Sequence, residues 1–309
     1  MSTQTAPPAA AAAAASLTTA PASGKARRPR RPRQFTSKAV VNAILIVFAL
    51  YTLMPLTWLV IASTKNYRDL FATNPFSLGD FNFLNNLSEL FAYNDGIYLR
   101  WLGNSVLYTV IGSLLSTIIS VACGYAFDKY EFRGKDTLFG FVLIGLLVPS
   151  TVTALPLYLL ASEVGMVNTY WAVLIPSLVN PFGVYLARVF SEGYVPGEVL
   201  EASRMDGAGE LRTFVSVSLP MLAPGFMTIF LFSFTASWNN FYSALMMLND
   251  EELYPANLGL YALMKSVYQH PELYPLVIIG SLVAVVPLII AFLSLQRFWR
   301  SGLTAGAVK

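Results

Sequence analysis

The chain has 309 residues and a net charge of +3, and it is 55% hydrophobic but only 12% charged. A soluble domain carries about 25% charged residues, so a water-soluble globule is excluded and lipid is the expected solvent. A single cysteine, Cys123, and a single histidine, His270, exclude an internal disulfide and a multi-cysteine metal site.

Residues 1–37 open with an Ala/Pro/Ser/Thr stretch and then turn basic, with Lys25, Arg27, Arg28, Arg30, Arg31, Arg33 and Lys38 in close succession. A secretory leader places its charge before its apolar run, and here the order is reversed. The composition predicts a disordered tail. Its RRPRRPR run has the look of a nucleic-acid patch, but beside a membrane segment the plainer reading is an anchor on anionic lipid, and no nucleic acid is expected.

A spanning helix needs about 20 mainly apolar residues. Six stretches qualify, near residues 39–63, 101–127, 138–161, 170–190, 222–248 and 276–296. Cys123 lies in the second and is expected to be a buried structural thiol. Pro55, Gly112, Gly145, Pro149, Pro156, Pro176, Pro181, Gly280 and Pro287 fall inside these stretches and predict bent helices lining a pathway. The fold class read from this pattern is an all-α polytopic membrane protein. Placing the N-terminus inside puts sixteen of the 20 basic residues on the inner side, which predicts both termini in the cytoplasm. The segments 64–100 and 249–275 then lie outside, where their Asn/Pro/Gly pairs suit turns and short interfacial helices. No internal repeat stands out, which counts against an inverted-repeat secondary transporter.

The loop at 201–224, EASRMDGAGELRTFVSVSLPMLAP, is the polar exception, and by the same topology it is cytoplasmic. Pro196, Glu198 and Glu201 suit the first turn of a helix. Asp206-Gly207 supplies a turn, because glycine tolerates the left-handed backbone that ends a helix. Helix then resumes at Glu210, with Leu211, Phe214 and Val215 sharing a face by their spacing. Pro220 and Pro224 close the element. An apolar knob flanked by charges is suited to a groove on another protein. Lying flat on lipid headgroups is the alternative, but Glu198, Glu201, Asp206 and Glu210 outnumber Arg204 and Arg212, so anionic lipid would repel the loop.

The run E-A-x-x-x-D-G-A followed by V-x-L-P at 217–220 resembles the EAA loop of the membrane subunits of binding-protein-dependent ATP-binding-cassette importers. Glu201, Ala202, Asp206, Gly207, Ala208, Phe214, Leu219, Pro220 and Pro224 fall in register, and Ser203 replaces the second alanine, small for small. YTLMPLTWLVIASTK at 51–65, the Trp238-Asn239-Asn240-Phe241 run and the C-terminal LQRFWRSGLTAGAVK are similar to carbohydrate permeases of the maltose and glycerol-phosphate branch. The resemblance covers residues 38–309 and implies a permease domain with a coupling loop at about 196–224. It further implies a non-catalytic, multi-pass subunit of the bacterial cell membrane. Its partners would be a second homologous permease, two ATPase subunits and an extracytoplasmic sugar-binding protein. Glu201 would pair with a basic group on the ATPase, and Gly207 would permit the docking turn. No G-x-x-x-x-G-K-[ST] phosphate loop is present, so no cofactor is expected on this chain and ATP is hydrolysed by the partner.

For the solute path, Trp238, Asn239, Asn240, Tyr242 and Ser243 combine an aromatic face with amides and hydroxyls, as a sugar requires, and Asn180 is a second polar candidate. Each has a structural reading as well, since Trp and Tyr gather at membrane interfaces and Asn bonds across helices. His270 has no neighbouring candidate ligands and reads as a solvated surface residue. A self-contained secondary transporter is the alternative function, but it needs ionisable groups within the helices, and few exist here. A membrane-embedded enzyme needs a His/Asp/Glu cluster at one face, and none is visible.

Overall fold

The computed structural model describes residues 34–305, with side chains from 38 to 296. Of the expected tail at 1–37, residues 1–33 with six basic residues from Lys25 to Arg33 lie outside the described residues, as does Lys309, whereas 34–37 open a helix and correct that part of the expectation. The chain divides into a compact unit ending at Thr52 and a larger one beginning at Leu53. Helix α1, Gln34–Ser63, carries that division within it. In the smaller unit Val40, Ile44, Val47 and Phe48 are each more than half exposed. At about 1.5 Å per residue its 30 residues exceed the ~30 Å hydrocarbon core. Such an apolar surface on a long helix is what lipid covers.

In the larger unit the centre is α4, Ile97–Lys129, a 33-residue helix. Three apolar clusters follow its length. At its start Tyr98 and Trp101 pack with Leu260, Leu276 and Ile279. Midway Tyr108 packs with Val173, Met247 and Leu258. Near its end Val121 and Tyr125 pack with Ala187, Val195, Leu200 and Ile229. The elements around it are α2 (Tyr67–Ala72), α3 (Phe83–Ala92), α5 (Lys135–Leu147), α6 (Ser150–Glu163), α7 (Tyr170–Ser177), α8 (Pro181–Tyr194), α9 (Gly197–Met205), α10 (Glu210–Thr213), α11 (Leu219–Met221), α12 (Ala223–Trp238), α13 (Tyr242–Met247), α14 (Ala256–Ser266) and α15 (Tyr274–Ala305). No strand occurs among the described residues.

Helix α4 is built inside out relative to a soluble helix. Asn104, Ser105, Thr109, Ser113, Ser116, Thr117 and Ser120 are buried, whereas Val106, Ile111, Leu115, Ile118 and Ile119 are exposed. Lipid tails are as apolar as leucine, so burying leucine between helices gains nothing, and small residues instead let backbones approach closely. Gly124 marks one such close approach. A Cβ there would lie 2.4 Å from Ala187 Cβ and 2.6 Å from the Arg188 backbone nitrogen, on α8. Cys123, next to it, faces the other way and is exposed. The expected buried thiol is therefore corrected: helix periodicity sets Cys123 on the apolar, outward side of α4.

Among the described residues, four helices are long and apolar enough to cross a membrane, and six if each of two bent pairs counts as one span. The expected third span is such a pair. Its limbs α5 and α6 meet at 109° across Val148-Pro149, because proline disfavours helical backbone in the residue before it. The fifth is the other. The limb 210–221 meets α12 at 78°, and α12 stops at Trp238, well before the expected end at 248. The fourth is one span broken at Asn180-Pro181, where Asn180 caps α8.

The end of α4 away from the 201–224 loop is closed by a strap. Trp101 Nε1 donates to Glu251 O (2.8 Å), Asn104 Nδ2 to Glu252 O (2.7 Å) and Tyr108 OH to Leu253 O (3.0 Å). Ser105 Oγ accepts from Ala256 N–H at 2.7 Å. These bonds satisfy backbone carbonyls and one N–H of the 251–256 segment that lipid could not.

Candidate functional site: the coupling loop

The loop folds as the sequence predicts, helix–turn–helix, with its first helix starting one residue later, after Pro196. The turn is a Schellman motif: Ala208 N–H donates to Ser203 O (3.1 Å) and Gly207 N–H to Arg204 O (3.0 Å). Gly207 has φ +79°, the left-handed region where a side chain is strained.

Two cross-braces then fix α10 against α9. Ser203 and Thr213, both buried, share a hydrogen bond of 2.9 Å between their hydroxyls. Arg204 Nε donates to Glu210 Oε1 at 3.0 Å. Glu210 Oε2 also accepts from Tyr130 OH at 2.8 Å, which ties the loop to the end of α4. The bonds from Arg204 and then Tyr130 hold the Glu210 carboxyl below its ordinary range, and Glu210 raises Arg204 in return. The same carboxylate, with burial as the larger cause, pushes the Tyr130 phenol upward.

What remains outside is the knob. Met205, Leu211 and Val215 are 88%, 77% and 50% exposed. Phe214 leaves the expected shared face and packs on Tyr125, ring centroids 4.8 Å apart. Glu201, Ala202, Asp206 and Gly207 are exposed, Ala208, Phe214 and Leu219 half-buried, and Pro220 exposed. Glu201 accepts no hydrogen bond from any described residue, so its carboxylate is free for a partner. After Thr213 the chain makes a π-helical turn, Phe214–Ser218, before α11.

Ser203 is thus more than a small residue. Removing its hydroxyl leaves that of Thr213 buried without a partner, at about 1–3 kcal/mol. Ser203→Ala is expected to lower the thermal unfolding temperature of the detergent-purified protein. Adding Thr213→Val, which removes the orphan, is expected to restore most of the loss.

The solute-path candidates do not form one cluster. Trp238 is buried, stacked on Phe234, with Nε1 donating to Ala284 O at 3.2 Å. Asn180 Nδ2 donates to Ser233 Oγ at 2.9 Å, bracing α8 against α12. Asn239 Nδ2 bonds Thr235 O, and Asn240 Oδ1 accepts from Ser243 N–H. Tyr242 is 43% exposed. His270 is exposed, with Nδ1 3.2 Å from Glu272 Oε1, and among the described residues no group of three or more His, Cys, Asp or Glu could hold a metal.

Sequence reasoning missed the braces. Thr213, Tyr130 and Tyr125 lie outside the EAA pattern, and only a polar residue on the inner face of a short helix hinted at Thr213.

The architecture is a bundle of kinked apolar helices carrying one braced polar loop with an exposed apolar knob. The chain belongs to the family described as binding-protein-dependent transport system inner membrane component, whose pattern matches residues 118–301. It is 32% identical to the arabinooligosaccharides transport system permease protein AraQ of Halalkalibacterium halodurans, across 84% of this chain and 92% of that protein. The Bacillus subtilis AraQ is 34% identical across 71% and 77%, and the lactose transport system permease protein LacG of Rhizobium radiobacter 27% across 87% and 96%. Among solved structures, a bacterial ABC transporter that imports the acidic polysaccharide alginate contains a chain with the same fold. It superposes with a TM-score of 0.78 at 23% identity, over 88% of this chain and all of that one. The chain is accordingly a non-catalytic, multi-pass inner membrane subunit.

Proposed function

We propose that the chain forms half of the translocation path of an ATP-driven sugar importer, with an oligosaccharide as its solute. The observation that carries this reading is the loop: its turn and braces make it rigid, and Met205, Leu211 and Val215 are left exposed to enter a groove on an ATPase subunit. The loop and both termini face the cytoplasm, in keeping with the distribution of basic residues. Glu201 pairs with a basic group on the ATPase, which binds and hydrolyses the ATP. A second, homologous permease completes the path, and an extracytoplasmic binding protein delivers the sugar. The sugar class is supported by relatives named for arabinooligosaccharides and lactose, and by a solved fold neighbour in complex with an alginate-bound periplasmic protein. Asn239, Asn240 and Tyr242 contact the solute, while Trp238 and Asn180 hold the helices that shape its path.

Proteoliposomes containing the chain, its second permease and the ATPase subunits test this reading. With the binding protein and a labelled arabino- or galacto-oligosaccharide outside, accumulation is expected only when ATP is enclosed with the ATPase. Uptake by the isolated chain, driven by a proton or sodium gradient, would replace this function with secondary transport.

A further inference from the structure

We infer that Tyr130 is a positioning residue whose hydroxyl, on Glu210, makes α4 and the coupling loop move as one body. The inference rests on the loop being where an ATPase acts.

The two residues are 80 positions apart, and their bond is 2.8 Å. Tyr130 caps α4, its N–H bonded to Ala126 O at 3.2 Å, so its position is fixed to the end of the helix. Glu210 opens α10, and its other oxygen holds Arg204 of α9. One carboxylate therefore collects a donor from each limb that must stay in register. Deeper in, Tyr125 packs on Phe214 with the rings tilted and accepts from Ser218 Oγ at 3.2 Å. Beside the two contacts opens a groove of about 260 Å³, lined by Ala122, Tyr125, Ala126, Leu211 and Phe214 and by Tyr130 and Glu210 themselves. The Tyr130–Glu210 bond thus ties the loop to the end of α4 where packing leaves a gap.

The chain's own connections are irregular. Towards α12 the loop continues through the π-helical turn and the 78° bend. Helix α4 runs unbroken for 33 residues, from the strap over 251–256 to Tyr130. A displacement of the loop is thus delivered along α4 to the far side of the bundle.

Tyr130→Phe tests this with two readouts in the reconstituted complex. Solute moved per ATP hydrolysed is expected to fall by about tenfold, the equilibrium worth of one charge-assisted bond, while ATP hydrolysis itself persists. Separately, in a Cys123→Ser background, Ala126→Cys and Leu211→Cys span the groove. Their cross-linking by a short bismaleimide is expected to be efficient in all nucleotide states and to become state-dependent once Tyr130→Phe is added. An unchanged ratio with unchanged cross-linking overturns the inference. So does a parallel loss of hydrolysis and uptake in an assembled complex, which would make Tyr130 a fold-holding residue only. If the parent complex shows no ATP-driven uptake, the functional reading fails, and the cross-link alone decides whether Tyr130 holds the loop to α4.

Discussion

Gly207→Pro is expected to leave an assembled transporter that hydrolyses ATP without responding to solute. Proline fixes φ near −65°, whereas Gly207 has φ +79°, and it removes the N–H that bonds Arg204 O. The turn cannot form, and Arg204 and Glu210 lose their register. Gly207→Ala separates backbone strain from this larger damage. A Cβ at Gly207 meets nothing within 4 Å, so the left-handed backbone alone is penalised, at about 1–2 kcal/mol. That corresponds to a factor of roughly 5–30 in the population of the docking-ready turn. Solute-stimulated ATP hydrolysis should therefore fall in the order wild type, Gly207→Ala, Gly207→Pro. The KM for ATP should not move, because the nucleotide lies on another subunit.

A second large effect is expected at Gly124, and its control lies on the same helix. In Gly124→Ala the added methyl would sit 2.4 Å from Ala187 Cβ and 2.6 Å from the Arg188 nitrogen. Backbone cannot step aside as a flexible side chain can, so α4 and α8 must separate, at about 3 kcal/mol. Gly103→Ala makes the same chemical change where no atom lies within 4 Å. There it removes only glycine's entropy penalty and is expected to stabilise by about 0.5–1 kcal/mol. Thermal unfolding of the detergent-purified protein should show shifts of opposite sign. Two shifts of the same sign would mean that α4 and α8 are not in the tight contact described.

The sequence made the loop legible because its signals are local. Asp206-Gly207 marks the turn, and composition alone distinguishes it from its apolar surroundings. The spans were legible as hydropathy but not as geometry. Hydropathy runs straight through Val148-Pro149 and Leu222, where the helices bend by 109° and 78°. The inward face of α4 was hidden for a different reason: in lipid the buried residues are Ser, Thr and Gly, which an apolar count passes over. This also explains why Cys123, read as buried, is exposed. Trp238 and Asn180 carry the polar chemistry of a sugar path, yet their bonds to Ala284 and Ser233 hold helices together. Tyr130–Glu210 and Ser203–Thr213 are pairings across space that residue spacing does not reveal.

Docking of the loop's exposed knob on an ATPase subunit is what the proposed function requires. It is tested most directly by placing one cysteine at Leu211, 77% exposed, in a Cys123→Ser background with a photoactivatable maleimide attached. A permease–ATPase adduct is expected on illumination of the assembled complex, and far less of it when Gly207→Pro is added. An adduct formed only with lipid or with the second permease would contradict it.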